Sequence, residues 1–388
     1  MKFQMKKILT SITMLLCIYN FTAFAETLTV ETVTDALNYS GNRATVTKLV
    51  ITGQITGSDN TYWNGDYLSE ESEWGKFFYL NETFPNIEAV EILTDQDIPD
   101  YNWNPTWDPT RDTIRGRGLF YYEFNRSNNS KAANWLKSFS APNVKTIGNK
   151  AFMRCENLIN VDFPLVTTIG DATFAGSGLT TVDFPNVITI YGEYGESAFR
   201  SCQNLISVNF PLTTTIGEWV FEDCNNLTTI YFPLVETIGR GAFIGCDNLT
   251  SVDFPLAKTI GESAFAGCTN LTTLNFPLAT TIEYGAFARC YSLISIDFPS
   301  VTAIGFGAFW ECSLLTSVNF PLLETIGRIA FEHCNNLTTL DFPSVTMIDS
   351  AAFRECLLLT SVDFPLAKMR KVCFLGLFFF NFGKFSTC

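Results

Sequence analysis

Eleven prolines, at positions 142, 164, 185, 211, 233, 255, 277, 299, 321, 343 and 365, punctuate one pattern repeated from Leu136 to Pro365. Successive prolines are 22 residues apart, except for one step of 21 and one of 26. A fixed period of this length is the mark of a solenoid, in which each repeat is one structural unit. The copy that starts at Leu249 offers five large apolar groups: Leu249, Val252, Phe254, Ile260 and Phe265. That is too little burial to offset the entropy of ordering a whole repeat, so each copy needs neighbours above and below.

The segment Leu249-Thr-Ser-Val252-Asp-Phe254 alternates apolar and polar near its end and predicts a short strand. Val252 and Phe254 then face the core, while Ser251 and Asp253 face out. Pro255 closes the strand, because it lacks an N–H and keeps the preceding residue extended. Thr259-Ile260-Gly261 predicts a second short extended stretch, and Ala264-Phe265-x-x-Cys268 predicts one or two turns of helix. Strands one period apart are expected to pair in parallel at about 4.8 Å per coil. The predicted fold is an α/β repeat solenoid of eleven ~22-residue repeats, a right-handed coil with a parallel β-sheet on its concave face. The irregular copies, one residue short near Phe174 to Leu179 and four longer between Ile190 and Phe199, differ only in turns.

The shared pattern L-x-x-V-x-F-P-x-x-x-x-I-G-x-x-A-F-x-x-C resembles the BspA-like class of leucine-rich repeats, whose members are bacterial and protozoan surface proteins. The lead-in stretches Val46 to Gly53 and Pro85 to Leu93 are similar to the irregular first coils of that class. The resemblance implies a leucine-rich-repeat-like coil. It also implies an adhesin-like protein, secreted or held at the cell surface, that binds extracellular matrix proteins or other cell-surface ligands.

Outside the repeats the chain divides into three further parts. Residues 1–25 read as a signal peptide, with Lys2, Lys6 and Lys7, an apolar stretch from Ile8 to Phe21, and Ala23-Phe24-Ala25 as a cleavage site. Residues 26–135 lack the repeat, carry Trp63, Trp74, Trp103, Trp107 and Trp135, and read as an N-terminal cap. An aromatic glycan-binding face in this region is the alternative. The solenoid proper is expected over 136–368. Residues 369–388 form an irregular apolar tail, read either as a plug on the last coil or as the truncated end of a longer protein. Its apolar run is too short for a stable membrane span.

The formal net charge is −14, and cleavage after Ala25 would remove three lysines and no acids, giving −17. Such a surface repels nucleic acid and anionic lipid and favours basic patches on proteins or divalent cations. Within the repeats, Cys155, Cys202, Cys224, Cys246, Cys268, Cys290, Cys312, Cys334 and Cys356 share one position, with Ser177 filling the gap. They read as small buried hydrophobes rather than metal ligands or disulfides. The single histidine, His333, neighbours Cys334, and adjacent residues on a turn point apart, so a catalytic pair is not expected. No enzyme, metal or cofactor is predicted.

Two surface features are the binding candidates. The outward position before each Phe reads Asp162, Asp183, Asn209, Tyr231, Asp253, Asn275, Asp297, Asn319, Asp341 and Asp363. Together with the Ser and Thr residues two positions earlier, it predicts a ribbon of carboxylates and amides for a basic, extended partner. The run Asp253, Asn275, Asp297, Asn319, Asp341 and Asp363 contains no basic residue. On another side, Tyr284 and Phe306 occupy the column where Glu218 and Glu262 stand, and grouped aromatics of this kind mark interfaces. The expected function is an exported binding protein for matrix or cell-surface proteins, with glycans as a second ligand class. A passive spacer and a glycan hydrolase in 26–135 are the alternatives.

Overall fold

The computed structural model describes residues 26–30, 33–52, 80, 84–93, 117–118, 121–123, 130–132, 134–192 and 197–369. The proposed signal peptide, Trp63, Trp74, Trp103, Trp107, Tyr194 and the tail after 369 lie outside them. The chain divides into compact units at residues 1–93 and 94–388.

In the first unit, β1 (Glu26–Val30), β2 (Val46–Ile51) and β3 (Ala89–Ile92) are parallel, with β2 pairing both others. Leu49, Ile51, Val90 and Ile92 are buried, as alternating or continuous apolar strands require. A short helix, Val33–Leu37, and a 3-10 turn, Arg43–Thr45, join β1 to β2. Asn42 caps the turn by accepting the Ala44 N–H at 3.2 Å.

In the second unit the repeat becomes a coil of parallel strands. Each coil contributes one three-residue strand, such as Ser251–Asp253, and one two-residue strand, such as Thr259–Ile260. The two-residue strands build a continuous nine-stranded parallel sheet from Thr189–Ile190 to Lys368–Met369, with equivalent repeat positions in register, as in Thr237 with Thr259 and Ile238 with Ile260. The three-residue strands behave differently. Beyond Tyr231 they pair in twos: Ser251–Asp253 with Thr273–Asn275, Ser295–Asp297 with Ser317–Asn319, and Thr339–Asp341 with Ser361–Asp363. Within a pair the Phe254, Phe298 and Phe342 N–H groups donate to the carbonyls of Asn275, Asn319 and Asp363 at 3.0, 3.0 and 3.1 Å. Among the described residues the equivalent bonds from Phe276 and Phe320 across the seams between pairs are not made.

The core is a double stack of phenylalanines. Phe243, Phe265 and Phe287 lie face to face at 5.2 and 5.4 Å. Phe254 and Phe276 form the parallel column at 5.5 Å, and Phe265 meets Phe276 edge to face at 5.9 Å. Near-parallel rings at this centroid spacing are offset, and offset and edge-to-face pairs are the arrangements the ring quadrupole favours. Leu249, Ile260 and Cys268 complete the fully buried slice of that coil.

One expectation is corrected. The Ala-Phe-x-x-Cys segment is a run of tight turns instead of helix. Its N–H groups alternate in direction. Ser263, Phe265 and Gly267 donate to Tyr284, Ala286 and Ala288 of the next coil at 2.7–2.8 Å, whereas Ala264, Ala266 and Cys268 bond three residues back. Ser263 and Gly267 adopt positive φ, +53° and +76°, and the same two columns do so in coil after coil. A left-handed residue every fourth position cannot propagate a right-handed helix, and it turns alternate donors toward the neighbouring coil.

Candidate functional site

The ribbon is built by the three-residue strands. The side chain before each core Phe must point away from the core, because the Val and Phe on either side of it point in. Asp253, Asn275, Asp297, Asn319, Asp341 and Asp363 are all exposed and lie along one face. Identical register brings them together in pairs: Asp253 with Asn275, Asp297 with Asn319, and Asp341 with Asp363. Asn275 donates to Asp253 Oδ1 at 2.6 Å, and Asn319 to Asp297 Oδ1 at 2.9 Å. The same bond joins Asn209 to Asp183 at 2.8 Å, and Ser140 Oγ donates to Asp162 at 3.0 Å. Each amide or hydroxyl thus holds one carboxylate oxygen and separates like charges that would repel at one-coil spacing. Asp341 and Asp363 have no amide between them. A shallow depression at the seam between two pairs is lined by Thr273, Leu274, Ser295, Asp297, Ser317 and Asn319.

Tyr284 and Phe306 also meet. Their rings stack at 5.0 Å and 5°, and the Arg328 guanidinium lies 5.9 Å from the Phe306 centroid. Gly307, at φ +59°, leaves room beside Trp310 and Ile329. Arg289 sits over Trp310 at 4.7 Å and pairs with Glu311 at 3.2 Å. Tyr291 donates to the same carboxylate at 3.4 Å, and its hydroxyl is shifted up, by burial first and then by the Glu311 charge. Other ion pairs on the turns also tie coil to coil, as in Arg200–Glu222 at 2.6 Å and Arg240–Glu262 at 2.9 Å. Burial raises the Glu222 carboxyl in spite of Arg200.

The cysteine column faces inward. Cys224, Cys246, Cys268, Cys290, Cys312 and Cys334 each donate from Sγ to the core Phe carbonyl of the preceding coil at 3.2 Å. Ser177 occupies the gap, buried, with Oγ 3.5 Å from Cys202 Sγ. Burial pushes Cys202 up to about 11 and Cys356 to about 12. A thiol held neutral, buried and hydrogen-bonded is a poor nucleophile. Cys334 is turned to the Phe309 carbonyl while His333, at φ +61°, lies on the turn.

Sequence reasoning passed over one exposed feature. The residue after each Pro is a surface leucine in most coils, including Leu212, Leu234, Leu256, Leu278, Leu322 and Leu366. The signal was present, because Phe-Pro-Leu breaks the inward alternation at Pro.

The sequence matches the family described as BspA type Leucine rich repeat region, in six copies, over residues 127–250 and 236–360. No curated protein matches it. Among solved structures it is similar to a leucine-rich repeat protein from Bacteroides ovatus, at 21% identity over 63% of this chain and 80% of that one, with a TM-score of 0.43. It is also similar to a leucine rich cell surface protein from Faecalibacterium prausnitzii, at 24% identity over 59% and 79%, with a TM-score of 0.39. The coil of parallel strands, the inward Phe, Ile and Cys columns and the matched repeats agree, and the chain belongs to the BspA-type leucine-rich repeat family.

Proposed function

We propose that this is an exported, adhesin-like binding protein, secreted or displayed at the cell surface, whose solenoid recognises basic segments of matrix or cell-surface proteins. The observation that carries the reading is the exposed column Asp253, Asn275, Asp297, Asn319, Asp341 and Asp363, held in register with no basic residue in it. Amide donors fix the carboxylates of Asp253 and Asp297, so little side-chain entropy is lost when a cation docks. The overall charge of −14 steers such partners and disfavours nucleic acid. The N-terminal sequence, read as a signal peptide, supports export. In binding assays with a cationic matrix protein, replacing Asp253, Asp297 and Asp341 by Asn should weaken association, as should raising salt from 0.1 to 1 M, where the Debye length falls from ~10 to ~3 Å. Unchanged low-salt binding by the triple variant would move the site away from the ribbon.

A second reading rests on the stacked Tyr284–Phe306 pair, which leaves aromatic surface at a turn edge where the preceding coils carry the Arg240–Glu262 ion pair and the same two coils carry Arg289–Glu311. Glycans are the ligand class that such an edge would suit. Loss of glycan-array signal in Tyr284→Ala, with retention in the Asp→Asn triple, would favour it.

A further inference from the structure

From Asp253 to Ser344, two neighbouring surface columns of the solenoid alternate with a period of two coils, although the fold repeats every coil. In the ribbon, Asp253, Asp297 and Asp341 alternate with Asn275 and Asn319. In the column after proline, Leu278, Leu322 and Leu366 alternate with Ser300 and Ser344. The leucines are 46, 53 and 61% exposed. The serines are tied down, with Ser300 Oγ donating to the Pro277 carbonyl at 2.9 Å and Ser344 Oγ to the Pro321 carbonyl at 3.3 Å. Acid and leucine are staggered by one coil, so the surface reads as a checkerboard. The backbone keeps the same doubled period, because the strands pair in twos with seams between. Leu256, exposed in the same coil as Asp253, and Asp363, which stands at an Asn position, depart from it.

We propose that this checkerboard is a docking surface for a single polyproline II segment with a Lys or Arg at every third residue and proline between. Two coils rise about 9.6 Å at the usual strand spacing. A polyproline II helix has three residues per turn and rises ~3.1 Å per residue, or ~9.3 Å per turn. Its side chains therefore form three straight columns whose period matches that of the acids and of the leucines. A cationic column falls on Asp253, Asp297 and Asp341, a prolyl column falls on Leu278, Leu322 and Leu366, and the third faces water. An extended β-segment does not fit, since its same-face side chains recur at about 6.6–6.8 Å. Charge selects this occupant over an apolar one. Each leucine is flanked by a carboxylate coil, and Asp253 and Asp297 each keep one oxygen outside their amide bond. Tyr231, 54% exposed in the ribbon column one coil before Asp253, supplies an aromatic face for proline at the end of the track.

This inference rests on the ribbon reading above, and the experiment separates the two. Three labelled peptides, each with six lysines spaced by one, two or three prolines, are titrated against the full chain at low salt by fluorescence polarisation. The two-proline spacing should bind at least about tenfold more tightly than the other two, a difference of roughly 1.4 kcal/mol. Replacing Leu278, Leu322 and Leu366 by Ser should reduce that preference to the part set by the acid column, while leaving the response to charge. Replacing Asn275 and Asn319 by Asp, which restores a one-coil period, should strengthen all three peptides and flatten their ranking. Equal affinity for the three spacings, abolished by the Asp253/Asp297/Asp341→Asn triple, overturns the register and leaves charge-led binding standing. Binding of all three peptides that ignores the triple overturns both readings.

Discussion

Asn275 donates to Asp253 across one coil at 2.6 Å, so the amide of one repeat holds the carboxylate of the repeat before it. The pair shows how a ladder of identical positions tolerates charge. Directly opposed like charges destabilise a sheet, and an amide at every second place replaces repulsion with a charge-assisted bond. Changing Asn275 to Asp reverses this. The variant should lose roughly 0.5–1 kcal/mol at low salt. Part of the loss should return at 1 M salt, where exposed charges are screened. Urea midpoints at the two ionic strengths check both points.

The core and the surface should respond to truncation on different scales. Phe265 is fully buried between Phe243 and Phe287, so Phe265→Ala should cost roughly 3–5 kcal/mol. Tyr284→Ala removes an exposed ring that touches Phe306, and it should cost less than ~1 kcal/mol. Equal losses in chemical denaturation would contradict the placement of these columns.

Alkali should unfold the solenoid through its thiols. Burial raises Cys202 from 9.0 to about 11 and Cys356 from 9.0 to about 12. A raised folded pKa stabilises fully below the unfolded value, and that contribution is lost as pH rises toward the folded value. Denaturant midpoints should therefore hold up to about pH 8 and fall steadily from 9 toward 11–12. Cys202→Ala should show a shallower fall. In the native protein a thiol reagent should label the ladder cysteines only at the rate of local or global opening.

Ile329 occupies the left-handed region at φ +51°, in the column where Gly241, Gly285 and Gly307 stand in other coils. A β-branched residue is strained there. Ile329→Gly should gain about 1 kcal/mol from relief of that strain, less what glycine loses in chain entropy. The reverse change at Gly241 should be costly, since a Cβ there would lie 2.3 Å from the Trp219 ring. Thermal melts of the two variants should shift in opposite directions.

The inward columns were legible because period and alternation alone dictate them. Val252, Phe254, Ile260 and Phe265 face the core for the same reason that Asp253 faces out. The turn segment was misread as helix because helix and tight turn both place Phe265 and Cys268 three residues apart. The difference lies in φ at Ser263, a residue type with no special preference for the left-handed region. The leucines after proline were passed over because the alternation that sorts strand residues stops at Pro255. The doubled period in the ribbon and the leucine column stood in the sequence, but it becomes meaningful only when the strands are seen to pair in twos.

The two ladders of the coil also make it mechanically lopsided. On one side, nine short strands are laced without a break from Thr189 to Met369, so that side resists stretching. On the other, strand-to-strand hydrogen bonds stop at every second coil beyond Tyr231, and among the described residues the pairs are joined there by packing and by isolated bonds such as Ser300 Oγ to the Pro277 carbonyl. A sheet bonded continuously along one edge and stitched at intervals along the other bends more easily than it extends. Such a body works as a strip hinge. Any change of curvature would open first at the seams of the acidic edge, while the laced edge holds its spacing.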